Sequence, residues 1–236
     1  MTLKRLFDIA TSSCGLLILS PLLLVIALLL RITGEREIFY YQERVGLGGR
    51  TFWIWKFASM LKDSPNIGSR TMTLRGDPRI TRVGWYLRIT KINELPQLFN
   101  VLRGEMSFVG PRPLPPKSFE KYSSEVRSEI STILPGITGI GAIVFRDEEE
   151  LLTIARARGD DPQDFFIKHI YPYKGRLELW YRRNRCFSVD MQILMLTAWQ
   201  IMFPRSHLVF RVFRDLPDRP PVLTVEGLQT MRVQRP

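Results

Sequence analysis

The side chains in this sequence best suited to chemistry are cations. Lys56, Arg75, Arg79, Arg82, Arg88 and Arg112 stand on short loops or beside an expected helix start. Guanidinium forks pair bidentately with phosphate oxygens, so a converging set would hold a phosphorylated ligand. The same residues would also serve as a solvated basic face opposed to anionic lipid. No GxGxxG, GxxxxGK[ST], GxSxG or HExxH occurs, which leaves dinucleotide, P-loop, hydrolase and zincin readings without an anchor. Cys14 and Cys186 are far apart with no CxxC or CxxH spacing, and His169 and His207 are isolated. A disulfide scaffold and a zinc module therefore drop out. The run Asp147-Glu148-Glu149-Glu150 reads as the acidic first turn of a helix rather than a metal site.

The charge balance points the same way. Lys and Arg number 34 against 23 Asp and Glu, a net +11 over 236 residues, with 45% apolar residues. That is globular composition whose charge implies an anionic partner: nucleic acid, acidic headgroups or a phosphorylated substrate. Residues 1–117 carry 17 of the cations against 8 acids, and they also contain the most apolar stretch. Placing the cations beside a lipid-embedded segment assigns them to headgroups and phosphates, and no nucleic-acid partner is expected.

The elements that must position these residues begin with residues 9–30, 22 residues without a charge. As a helix they would reach about 33 Å, enough for a bilayer core of about 30 Å. No small-x-small pattern follows, so a cleaved signal is not expected. Ser20-Pro21 lies at the centre, where proline removes a backbone donor and crowds the carbonyl of Leu17. Each arm alone is too short to cross, and Lys4, Arg5 and Arg31 put positive charge at both ends. These features favour a helix-break-helix that enters one leaflet and returns, with a kinked span as the alternative. Next, two aromatic and β-branched runs flank Gly46-Leu47-Gly48-Gly49 and read as a hairpin whose rings also suit headgroup depth. Helices are expected over 82–88, over 94–102 with Asn93 as N-cap, over 118–132, from 147 to about 159, and over 189–203. From Asp215 the proline-containing chain reads as an extended or disordered end.

Six ordered motifs then resemble a known family. They are Tyr41-Gln42-Glu43-Arg44-Val45-Gly46, Lys56-Phe57-Ala58-Ser59-Met60, Asp77-Pro78-Arg79-Ile80-Thr81-Arg82-Val83-Gly84, Asn93-Glu94-Leu95-Pro96-Gln97-Leu98-Phe99-Asn100-Val101-Leu102, Gly110-Pro111-Arg112-Pro113 and Pro135-Gly136-Ile137-Thr138-Gly139. Together with the Ser20-Pro21 break, they resemble the bacterial sugar transferases, monotopic polyprenyl-phosphate glycosyl-1-phosphate transferases, over roughly residues 3–203. The resemblance implies transfer of a sugar-1-phosphate from a nucleotide diphosphate sugar, usually a UDP-sugar, to polyprenyl phosphate with Mg²⁺. The setting implied is the cytoplasmic face of the bacterial inner membrane, at the start of exopolysaccharide, capsule, O-antigen or glycoconjugate assembly.

Carried onto this sequence, the resemblance implies a catalytic group of Asn93, Glu94, Lys56 and Arg88. Glu94 would hold the metal, and Arg79, Arg82, Arg112 and Arg146 would bind substrate phosphates. The family pair is Asp-Glu, its Asp the nucleophile, whereas this chain has Asn93-Glu94, and a carboxamide is a poor nucleophile. Four explanations are open: an inactivating substitution, a natural variant using Glu94 or direct attack by the lipid, a helix cap in an enzyme that has lost activity, or deamidation. Ala58, Ile140, Ala142, Val144 and Phe145 also depart from the family pattern, while Arg146 keeps it, which favours natural variation. A catalytically silent membrane scaffold that keeps the sugar-nucleotide site is the alternative function. The expected fold class is α+β and helix-dominated: a monotopic membrane protein with a re-entrant helix-break-helix, a small β-hairpin and amphipathic interface helices. The expected division is a membrane segment at 1–33, a catalytic domain at 34–203 and a basic, Pro-containing tail at 204–236. The apolar faces of 118–132 and 189–203 leave room for a homodimer.

Overall fold

The computed structural model describes residues 2–33, 35–64, 77–204, 206–225 and 227–228. They form two compact units, the first drawn from residues 1–108, 113–116 and 134–137 and the second from 109–112, 117–133 and 138–236. Arg75 and residues 229–236 lie outside the described residues.

The first unit opens with helix α1 (Leu3–Ile32), started by the Thr2 hydroxyl, which accepts from the Arg5 N–H at 3.3 Å. It is one helix long and apolar enough to cross a membrane. Leu17, Ile18, Leu24, Val25 and Leu28 are exposed, as lipid-facing residues would be. Two zones fasten α1 to the unit. Near its start Arg5 donates to the carbonyls of Val101 and Leu102 at 2.6 and 2.8 Å, while buried Asp8 accepts from Ser107 Oγ and the Phe108 N–H at 3.2 Å each. Near its end Ile26 and Leu30 pack with Phe57 and Leu87.

The expected interruption at Ser20-Pro21 is not a gap in the helix, because residues on both sides stay helical. Pro21 leaves the Leu17 carbonyl without its usual donor, and the Ser20 hydroxyl takes that carbonyl at 2.8 Å. The pair therefore mends the hydrogen bond that a proline alone would lose.

Strands β1 (Phe39–Val45) and β2 (Thr51–Phe57) form the expected hairpin, in antiparallel register from Phe39↔Phe57 to Val45↔Thr51. Gly48 and Gly49 turn it with φ of 68° and 72°, values that favour glycine. Helix α2 (Arg82–Ile89) is capped by Thr81 Oγ1, which accepts from the Gly84 N–H at 2.9 Å. A 3₁₀ turn over Ile92–Glu94 leads to helix α3 (Gln97–Arg103), and strand β3 (Ser107–Val109) follows.

Next in the chain come α4 (Pro116–Phe119), α5 (Ser124–Ile130), β4 (Gly136–Thr138), α6 (Ile140–Val144), α7 (Glu148–Ala157) and α8 (Pro162–Phe165). They are followed by α9 (Tyr171–Asn184), α10 (Phe187–Met202) and α11 (Leu208–Val212). The single helix expected over 118–132 is split, because the Ser123 hydroxyl accepts from the Val126 N–H at 3.3 Å and starts a new helix there. Helix α9 is the spine of the second unit, burying Tyr173, Leu177, Trp180 and Tyr181. Helix α10 is amphipathic: Ile193, Leu196 and Gln200 point inward, and Met195, Trp199 and Met202 are exposed.

The chain beyond Asp215 corrects the expectation of an extended or disordered end. Trp180 Nε1 donates to Asp215 and the Tyr173 hydroxyl to the Pro217 carbonyl, both at 2.8 Å, and Arg219 pairs with Asp147 at 2.8 Å. Leu216, Leu223 and Leu228 are buried, so three spaced leucines hold a proline-rich segment in place.

Candidate functional site

The 3₁₀ turn over Ile92–Glu94 packs against both α2 and β2, and this places the expected catalytic residues of the first unit together. Lys91, at φ 60°, bends the chain into the turn, and its N–H donates to the Arg88 carbonyl at 3.2 Å. Lys56 Nζ on β2 pairs with Glu94 Oε1 at 2.7 Å, their side chains only 15% and 18% exposed. Partial burial gives such a pair a better-defined geometry than a surface ion pair has.

Asn93 is buried, and its Oδ1 has no hydrogen-bond partner among the described residues. Its expected role as a helix cap is overturned, since α3 starts at Gln97 after Pro96 and the Asn93 side chain caps nothing. An orphaned buried carbonyl oxygen beside a carboxylate is a place where a donor or a cation would be welcome.

A residue that sequence reasoning passed over sets the register between α3 and β2. Asn100, fully buried, accepts from the Trp55 N–H at 3.0 Å and donates to the Trp53 carbonyl at 2.8 Å and to Glu105 Oε2 at 2.7 Å. Its amide thus mimics a neighbouring strand along β2, one residue before Lys56. The signal in the sequence was an Asn in mid-helix among apolar residues, where a polar amide needs a buried partner.

The four arginines named for phosphate binding have different fates. Arg79 is buried and its guanidinium is committed: Nε and NH2 donate to Asp77 at 2.9 and 2.6 Å, and NH1 to the Ser64 carbonyl at 3.0 Å. Those hydrogen bonds hold the Asp77 carboxyl below its ordinary range, and Arg88 contributes to the same effect. Arg79 is therefore placed as a structural tie within its loop. Arg82 opens α2 with an exposed side chain, and half-buried Arg88 lies near the end of the same helix. Arg112 and Arg146 belong to the second unit, both exposed.

An apolar cavity of about 270 Å³ is lined by Leu16, Ser20, Leu23 and Leu24 of α1 with Phe39, Phe57, Pro96 and Phe99. Phe57 directly follows Lys56, and Pro96 is two residues from Glu94. As neighbours in a strand, Lys56 and Phe57 project from opposite faces of β2, which thus offers a charge on one side and part of the cavity wall on the other. Among the described residues no three His, Cys, Asp or Glu side chains cluster as a metal cage. Glu94 carboxylate and Asn93 carbonyl oxygens are hard donors, which fit a Mg²⁺ ion bound mainly through a substrate's phosphates.

The profile of the family described as bacterial sugar transferase matches residues 1–204. This chain belongs to that family. Among similar proteins, an undecaprenyl-phosphate glucose phosphotransferase of Komagataeibacter xylinus is 36% identical over 213 residues, covering 86% of this chain and 36% of that protein. A UDP-glucose:undecaprenyl-phosphate glucose-1-phosphate transferase of Klebsiella pneumoniae is 35% identical over 209 residues, covering 87% and 41%. The exopolysaccharide production protein ExoY of Rhizobium meliloti is 35% identical over 164 residues, covering 64% and 72%. The chain thus spans roughly two fifths of the length of the first two. Its α1 helix and the family it belongs to make it membrane-associated.

Proposed function

We propose that this chain transfers a sugar-1-phosphate from a UDP-sugar to polyprenyl phosphate at the cytoplasmic face of the inner membrane, in the assembly of an exopolysaccharide or related glycan. The observation that supports the reading is that the first unit holds both a half-buried Lys56–Glu94 pair and an apolar cavity against α1. A polyprenyl phosphate is an apolar chain ending in an anion, and this is the pairing of surfaces such a lipid requires. The names of the relatives above supply the donor class.

Each residue's part follows from charge. The donor diphosphate and the lipid phosphate repel one another, so fixed cations must bring them together. Lys56 and Arg88 would neutralise the phosphates, with Arg82 at the rim. Mg²⁺ held by Glu94, with Asn93 Oδ1 as a second oxygen, would withdraw charge from the diphosphate. Asn93 has no anionic oxygen to attack phosphorus, so the lipid phosphate oxygen attacks the β-phosphorus directly. The bond from that phosphorus to the α–β bridging oxygen breaks, and UMP leaves with its electron pair.

The test is UMP release by the full chain in lipid over a panel of UDP-sugars, with mass analysis of the peptide carrying Glu94. Polyprenyl-phosphate-dependent UMP without an adduct is the expected result. A phospho-sugar adduct on Glu94 would overturn direct attack. The observation favouring a second reading, a silent scaffold that keeps the sugar-nucleotide site, is Asn93 itself. Donor binding without turnover, restored by Asn93→Asp, would establish that reading instead.

A further inference from the structure

The family profile ends at residue 204, yet the described residues beyond it, 206–225 and 227–228, are seated on the second unit at three successive points. The first is aromatic. Phe213, just after α11, meets the Trp180 ring edge-on with centroids 5.1 Å apart, and Trp180 Nε1 donates to Asp215 at 2.8 Å. The second is a cation. Arg219 NH2 donates to the two carboxylate oxygens of Asp147 at 2.8 and 2.9 Å, NH1 donates to the Val144 carbonyl at 3.3 Å, and the guanidinium carbon lies 5.4 Å from the Phe145 ring centroid. The third is apolar: Leu223 and Leu228 are fully buried, and the 3₁₀ turn over Pro221–Leu223 packs on the π-helical turn over Phe166–Ile170.

The seat is made by α9 and by the short segment that joins α6 to α7. The acidic run of that segment does more than start a helix, because Asp147 takes Arg219 while Glu148 takes Lys174 of α9. The Phe145 ring carries both cations, with Lys174 Nζ 5.1 Å from its centroid, and its edge meets Tyr173, whose hydroxyl donates to the Pro217 carbonyl at 2.8 Å. Of the other acids packed around α9, Asp190 accepts from the Tyr181 hydroxyl at 2.6 Å, and Glu178 is buried on the helix's inner face at 4% exposure. Asp147 is the acid that meets the tail. The Arg219 and Asp147 side chains are 11% and 28% exposed, so their pair is better shielded than a surface ion pair.

We propose that the second unit carries a peptide-docking groove, walled by α9 and residues 144–148, whose occupant is the chain's own segment 213–228, with Arg219 as the clasp that fixes its register. The ligand class is a largely non-helical peptide presenting an aromatic ring, then a guanidinium, then leucines, supplied here in cis. Tethering keeps the groove filled at high effective concentration. Opening the clasp would free the tail and the 144–148 segment together, as a local unfolding that leaves α9 in place. The docking stands on the second unit's geometry alone and uses none of the transfer chemistry.

The experiment places a specific-protease site between Pro204 and Ser206 of the full-length protein in lipid and measures, after cleavage, how tightly the severed segment stays on the body. The parent is expected to retain it. Arg219→Glu should weaken retention tenfold or more, the factor expected for losing charge-assisted hydrogen bonds of about 1.5 kcal/mol or above, and Asp147→Arg combined with Arg219→Glu should restore it. Hydrogen exchange on the uncut chain gives a second readout. Amides of 213–228 should exchange about tenfold faster in Arg219→Glu, those of Leu177–Tyr181 in α9 should keep the parent rate, and the charge-swapped pair should return the tail to it. A parent that sheds its severed segment or unfolds on cleavage would overturn the docking, as would α9 amides that speed up along with the tail. Equal retention in the parent and Arg219→Glu, or a swapped pair no better than the single change, would remove Arg219 as the clasp.

Discussion

Asn100 offers the sharpest test of how the site is held, because its contribution can be worked out bond by bond. Replacing it with Ala removes an acceptor 3.0 Å from the Trp55 N–H and a donor 2.8 Å from the Trp53 carbonyl, both backbone groups of β2, and the bond to Glu105 at 2.7 Å. A buried polar group left without its partner costs about 1–3 kcal/mol. Two such groups, at a position with no exposure, put Asn100→Ala at about 2–6 kcal/mol. Asn100→Asp should be at least as damaging, since it keeps the acceptor for Trp55 but turns a carboxylate oxygen on the Trp53 carbonyl and on Glu105. The assay is urea unfolding of detergent-solubilised protein followed by circular dichroism, with UMP release measured under native conditions. Lys56 directly follows Trp55, so loosening β2 should also weaken its contact with Glu94, and activity should fall even where the chain stays folded. A loss of stability under about 0.5 kcal/mol for Asn100→Ala, the scale of an ordinary surface substitution, would refute the claim that this amide ties α3 to β2.

Three further outcomes follow. Glu94→Gln should lower kcat for UMP release by at least about 100-fold, the scale of losing a group that stabilises charge in the transition state; near-normal turnover would remove Glu94 from the site. Arg79→Met leaves Asp77 buried without its cation and should destabilise the protein by about 3–5 kcal/mol while leaving the donor KM of the folded fraction unchanged, and a raised KM would return Arg79 to the substrate. Because Arg79 depresses the folded-state Asp77 carboxyl, its stabilisation is present above the unfolded value and is lost as pH falls through the folded one, so the parent should show an acid-limb loss that Arg79→Met lacks. Glu178 has the opposite sign: its folded value of about 8 lies above the ordinary 4.5. Its favourable state is complete below 4.5 and is lost as pH rises to about 8, at a limiting slope of about 1.4 kcal/mol per pH unit. Glu178→Gln should therefore gain on the parent steadily across that window in chemical-denaturation curves, and a constant difference would mean the carboxyl is not buried as an acid.

How much of this was legible beforehand depended on whether a residue's role was local. The hairpin could be read because Gly48 and Gly49 sit between two aromatic runs, and the helix expected over 82–88 is α2 to within one residue. Local reading failed at α9. Pro172 and Gly175 argue against a helix there, yet Pro172 directly follows a π-helical turn over Phe166–Ile170, whose wider winding accommodates the missing N–H. Gly175 is a contact site, where an added Cβ would come within 3.1 Å of Val126. With the helix unread, Glu178 had no buried face to stand on, and a charged residue among Leu177, Leu179 and Trp180 passed without notice.

The cations show why counting charge reaches only part of the way to a site. Arg79, Arg82, Arg88 and Arg112 are equivalent in a net charge of +11, but a guanidinium can bind a ligand only with the donors its own fold leaves over. Asp77, two residues before Arg79 across a proline, claims that side chain through a contact that is itself local, so the pairing was open to inference from Asp77-Pro78-Arg79. Arg82 is the reverse case, because it stands at the start of α2 with its side chain exposed. One arginine is thus taken up by a neighbour in sequence, and the other is held at a helix start with its side chain exposed. A phosphate site in this chain is consequently specified as much by a buried carboxylate that claims an arginine, as Asp77 does, as by the number of its cations.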